Sequence, residues 1–214
     1  MRKLILVFVV VIVSLHNNVT TSMAFDLNTG LLQLAVVGTV CHGLIHCFRD
    51  SRLTRAACNG DAEKVSMLVE QGHDVDGVGV DGMTPLMHAA RHGHADCMRV
   101  LIGARANINN TDNVDWTALM HASYEQRIDC IDVLSRAGAN MNSRDDHRNT
   151  ALMQATYMNN IKSTEALLKA GAYVDSCDAD GFTPLMCAVR GRRVQLAHTL
   201  LSYGASMYVR NALG

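Results

Sequence analysis

The chain has 214 residues, a formal net charge of -1 and only 5% aromatic residues. So balanced a charge offers no attraction for a phosphate backbone, and it excludes nucleic acid as a partner recruited by charge. Seven cysteines, an odd number with no paired metal-ligand spacing, exclude a disulfide framework and a zinc module of ordinary design.

Residues 1–50 carry no repeat. Arg2 and Lys3 precede an almost wholly apolar run from Leu4 to Leu15. As a helix that run spans ~18 Å, short of a ~30 Å hydrocarbon core. Residues 1–24 therefore read as a secretory signal with Ser22-Met23-Ala24 as its cleavage site, or as a membrane-anchoring segment. Residues 25–50 read as a linker with an apolar helical segment over 31–48. Arg2 and Lys3 on one side, and Arg49, Arg52 and Arg55 on the other, would place both flanks of a membrane hairpin in the cytosol. Packing of 31–48 on the first repeat is the competing reading. Membrane association through residues 4–48, with the repeats in the cytosol, is the favoured placement; secretion after cleavage and a plain cytoplasmic location are the alternatives.

From Ser51 one period governs the chain. Thr84-Pro85-Leu86-Met87-His88-Ala89 returns at Thr117, at Thr150 and at Thr183, always at the same interval. Leu53, Leu86, Leu119, Leu152 and Leu185 form one all-leucine column of that period, and Leu68, Leu101, Leu134, Leu167 and Leu200 another. A strict period of this length means stacked supersecondary units and no single wide core. Each unit reads as two short helices. A threonine caps the first, Pro85 and Pro184 suit its first turn, and glycine ends the second at Gly72, Gly138, Gly171 and Gly204. Five units result, at about 51–80, 81–113, 114–146, 147–179 and 180–213. Gly214 falls where a sixth unit would open, so the sequence reads as a piece of a longer repeat protein, or as one whose last unit something else covers; a genuinely short C-terminus is the competing reading.

Asp81-Gly82-Met83-Thr84-Pro85-Leu86, the Gly93-His94 turn and Asp180-Gly181-Phe182-Thr183-Pro184-Leu185 resemble the ankyrin repeat over residues 51–208. The resemblance implies an all-α solenoid of about five stacked helix-turn-helix units with hairpin-like turns. It departs from the family pattern where Met87, Met120, Met153 and Met186 replace a histidine. Gln126, Asn159 and Arg192 replace the inter-helix glycine, and Arg105 replaces a C-cap glycine.

The resemblance also implies a concave binding face. It consists of the residue before each threonine and the residues before each inter-helix turn: Met83, Arg91, His92, Trp116, Tyr124, Asn149, Tyr157, Phe182 and Arg190. Aromatic and arginine side chains there favour a protein partner, although Trp116 and Phe182 could equally brace neighbouring turns. Asn109 and Asn142 lie eight residues after Leu101 and Leu134, where ankyrin-like proteins can be hydroxylated; stabilising the turn is the simpler role. No phosphate loop, nucleophile elbow or His-Glu-x-x-His motif occurs. His88, His92, His94, His121 and Cys97 are spread along a ridge and do not converge, so no metal, no cofactor and no catalytic residue are expected. Acids such as Asp145 and Asp146 read as solvated turn residues. The leading function is a non-catalytic, monomeric scaffold that binds a protein; the alternative is a cytosolic structural arm of a membrane-anchored or larger receptor-like protein.

Overall fold

A computed structural model describes Thr21–Phe25, Leu32–Val36 and residues 52–209. These fall in two compact units, Met1–Phe48 and Arg49–Gly214. In the first unit, β1 (Thr21–Phe25) pairs antiparallel with β2 (Leu32–Val36), and Phe25 stands opposite Leu32. Residues 32–36 are thus a strand inside the segment expected to be helical. Leu32-Gln33-Leu34 alternates with period two, which suits a strand better than a helix. The rest of 31–48, the apolar run Leu4 to Leu15 and its two cations lie outside the described residues. Among the described residues no helix is long and apolar enough to cross a membrane.

The second unit is built from five helix pairs, each beginning one sequence period after the last. They are α1 (Arg52–Asn59) with α2 (Ala62–Glu70), α3 (Pro85–His92) with α4 (Ala95–Gly103), and α5 (Ala118–Tyr124) with α6 (Ile128–Arg136). Then come α7 (Ala151–Tyr157) with α8 (Ile161–Lys169) and α9 (Pro184–Arg190) with α10 (Val194–Ser202). The first helices pack in the series α1, α3, α5, α7, α9, and the second helices in the series α2, α4, α6, α8, α10. Two layers of short helices result. Helices of seven to nine residues are marginal alone; burial between neighbours is what holds them. Both leucine columns form that seam, every member buried.

Capping follows the sequence closely. The hydroxyl oxygens of Thr84, Thr117, Thr150 and Thr183 accept the amides of Met87, Met120, Met153 and Met186 at 3.3 to 3.4 Å. At the first of these, the methionine that replaces the family's histidine acquires a polar role, since the Thr84 amide donates to Met87 Sδ at 3.4 Å. Arg105, Gln126, Asn159 and Arg192, which stand in glycine positions, adopt the left-handed backbone that glycine favours, with φ between 54° and 66°. Asp115 and Arg148 do the same, in the column of Gly82 and Gly181.

Two ladders tie each unit to the next. His94 Nε2 donates to the Cys58 carbonyl, Arg127 Nε to that of Arg91, Asn160 Nδ2 to that of Tyr124, and Arg193 to those of Thr156 and Tyr157. One column thereby satisfies carbonyls at the end of the preceding first helix, which the helix itself leaves without partners. At the turn tips, Asp76 accepts the Asn107 amide, Asn109 that of Asn140, Asn142 that of Tyr173, and Asp175 that of Ser206, at 2.8 to 3.0 Å.

Candidate functional site

The hairpin between units is closed by one backbone bond repeated four times: Gly79 to Met83, Asp112 to Trp116, Asp145 to Asn149 and Asp178 to Phe182, at 3.0 to 3.1 Å. In the last three the opening residue is an aspartate, and its side chain organises everything near it. Asp112 accepts the amides of Val114 and Trp116 and, at 2.9 Å, His121 Nε2. Asp178 accepts the amides of Asp180 and Phe182 and the Tyr157 hydroxyl at 3.0 Å. Asp145 is the most heavily engaged. It accepts the amides of His147 and Asn149, Asn149 Nδ2, Gln154 Nε2 and the Trp116 indole N–H. The expectation that Asp145 is solvated is overturned: it is 6% exposed, held there by five N–H donors.

This aspartate column positions the aromatic residues. Trp116 is half-buried, anchored to Asp145 at 3.2 Å, with its ring 5.1 Å from His121 and 5.4 Å from Tyr124. Tyr157 is half-buried between Asp178 and the Cys187 thiol. Burial, followed by those two neighbours, pushes its phenol far above the ordinary value, so it stays a donor. Phe182 carries the Arg190 guanidinium 4.7 Å above its ring. Trp116 thereby ties the hairpin before its unit to the hairpin after it, and Tyr157 reaches the first helix of the next unit through Cys187, so the bracing role extends from Trp116 to a tyrosine that the sequence had not suggested for it.

The residues before the inter-helix turns are open. Arg91, His92, Tyr124 and Arg190 are all exposed, and Arg91 Nε lies 3.9 Å from the Glu125 carboxylate. Arg91 and His92 end one first helix and Tyr124 the next, which packs beside it; Arg190 ends the first helix two units further along the row. Asn149 is half-buried with its amide on Asp145. Met83 does not belong to an exposed face. It is 2% exposed and packed in the core, where its amide is fixed by Asp81. An unbranched apolar side chain in a turn that folds back on the helices has more to gain from the core than from water. Asn109 and Asn142 hold two rungs of the tip ladder through their side-chain oxygens.

Of the residues considered for metal binding, His121 is engaged by Asp112, His94 by the Cys58 carbonyl, and Cys97 is fully buried. A residue that the sequence did not single out, Cys58, brings its sulfur within 4.8 Å of His88 and His92. Cys58 belongs to the unit before theirs, and only the stacking of α1 on α3 makes them neighbours.

Burial pushes the Asp112 carboxyl up, but the His121 hydrogen bond and the Trp116 and Val114 amides outweigh it, and the group titrates below its ordinary 3.8. The unfolded chain then takes up this proton first as pH falls. The stabilisation from Asp112 is complete above 3.8 and is lost as pH falls from there through the depressed folded value. In urea titrations at stepped pH, Asp112→Asn should be less stable than the parent at neutral pH, and the gap should narrow below pH 4. A gap independent of pH would show that the charge of Asp112 contributes nothing.

Paired helices at a strict period, packed in two layers and joined by short hairpins, define a helical repeat protein. The family model described as ankyrin repeats in three copies matches residues 53–145 and again 137–211, and the chain belongs to the ankyrin repeat family. Such repeats are in general protein–protein interaction modules and are typically non-catalytic. No curated protein matches the chain.

Proposed function

We propose that this protein is a scaffold that holds a protein partner along the row of first-helix ends. Arg91, His92, Tyr124 and Arg190 are the direct contacts, and Trp116, Tyr157 and Phe182 form the firm backing behind them. Tyr124 carries the reading. It is 36% exposed, its ring rests on Trp116, and the same position in the units on either side holds Arg91 and Tyr157. A tyrosine already immobilised on a tryptophan loses little side-chain freedom on binding, which is why such residues dominate interface energies. Asn149 acts through Asp145 and not by contact.

The test places a photo-crosslinking residue at Glu125 of the full chain to capture the partner, then measures affinity. Tyr124→Ala with Arg190→Ala should weaken binding at least about tenfold, or ~1.4 kcal/mol. Asp132→Ala with Lys169→Ala, on the second-helix layer, should leave it unchanged. The opposite pattern rules out this face.

A further inference from the structure

We infer that Cys58, His88 and His92 form a binding site for one zinc-class divalent cation that clamps the first helix pair to the second. Their ligand atoms, one sulfur and two ring nitrogens, all lie within 4.8 Å of one another. His88 and His92 are one turn apart on α3, so they share a face of that helix. Cys58 comes from the end of α1, which packs against α3. In a tetrahedral zinc site such atoms stand ~3.3 to 3.6 Å apart. The contraction required is about 1 Å, set by that tetrahedral spacing. His92, exposed at the end of its helix, can supply it by side-chain rotation while the buried His88 stays in place.

Comparison between units sets this cluster apart. Advancing its three positions by one period gives Arg91, His121 and Glu125; the next steps give Tyr124, Gln154 and Met158, then Tyr157, Cys187 and Gly191. Only the first interface presents three metal-ligating side chains of the borderline-soft kind. Unit two also differs at its hairpin, where Gly79 occupies the column of Asp112, Asp145 and Asp178.

The electrostatics suit a ligand set. His88 is lowered to about 4, chiefly by burial; Asp81 opposes this, and His92, His121 and Arg91 add to the lowering. Burial and Arg91 also lower His92. The nearby Asp81 charge has the sign found behind metal-bound imidazoles. Cys58 is half-buried and reachable from solvent. When the sulfur–metal bond forms, its thiol releases one proton to water, and a solvent molecule completes the four-coordinate shell.

Cobalt(II) is the probe, added to the reduced, chelator-stripped full chain. One equivalent should produce the visible bands of tetrahedral cobalt and a thiolate-to-cobalt charge-transfer band, both abolished by an equivalent of zinc. Cys58→Ser should abolish the charge-transfer band and weaken binding at least about tenfold. His92→Ala, an exposed position whose loss leaves the fold intact, should weaken binding similarly. The double variant Cys41→Ser/Cys47→Ser and the single variant Cys177→Ser should titrate like the parent. The inference is overturned if no charge-transfer band develops at saturating cobalt, if Cys58→Ser and His92→Ala bind like the parent, or if the band disappears with Cys41 and Cys47 instead.

Discussion

Replacing Asp145 by alanine should destabilise the repeat domain by about 3 kcal/mol or more, whereas Asp146→Ala beside it should cost under about 0.5 kcal/mol. The two acids are adjacent and chemically alike; only their partners differ. Asp145 is buried and accepts five N–H groups, from Trp116 of its own unit and, across the boundary, from His147, Asn149 and Gln154. Alanine would leave the buried Gln154 amide and the half-buried Asn149 and Trp116 N–H groups without this acceptor, and each buried donor without an acceptor costs on the order of 1 to 3 kcal/mol. Asp146 is exposed, and its one ion pair among the described residues is with His147, at 3.9 Å. In a solenoid, stability is a sum of units and interfaces, so the Asp145 loss falls on the contact between the third and fourth units. Urea titrations monitored by circular dichroism measure both variants. Similar losses for the two would mean that the aspartate column does not organise the turns.

Introducing glycine at Arg105, Gln126, Arg148 and Arg192 together should stabilise the domain by about 2 to 4 kcal/mol. Each has φ between 54° and 66°, where a residue with a Cβ is strained by ~1 to 2 kcal/mol. Glycine relieves that strain but gives back roughly 0.5 to 1 kcal/mol through its greater freedom when unfolded. The four positions lie in four separate turns, so their gains should add. Asn159 and Asp115 are left out because their side chains tolerate this backbone better. A quadruple variant with an unchanged or lower urea midpoint would show that side-chain contacts at these turns outweigh backbone strain. Gly60 and Gly93 mark the limit of such exchange. A Cβ there would lie 2.6 Å from the His94 ring or 2.9 Å from Arg127 Cδ, so those two turns also need glycine for room.

The stacking was legible because a fixed period converts one observation into five. Any column that stays leucine through all units must face a common seam, and the helix pairs, threonine caps and left-handed turns followed from the same alignment. What stayed hidden was whatever varies within a column or crosses between columns. Asp145 is the exception: Asp112 and Asp178 share its column, while Asn113 and Ala179 share that of Asp146, so the period already distinguished the two acids. Met83 shares its column with Trp116, Asn149 and Phe182, and that mixture does not say that the methionine turns inward. The convergence of Cys58 on His88 and His92 requires the packing of α1 on α3. The hairpin of β1 and β2 lies outside the period altogether, where only a short alternation in Leu32-Gln33-Leu34 hinted at a strand.

The rungs at the turn tips impose a rule of measurement on the chain. In all four, the accepting side chain and the amide it meets are 31 positions apart, from Asp76 with Asn107 to Asp175 with Ser206. One additional residue between Asn109 and Asn140 would carry the receiving amide ~3.8 Å along the backbone, beyond hydrogen-bond reach. The tips thus act as a ruler that rejects insertions and deletions, and this gives a physical reason for four successive intervals of identical length.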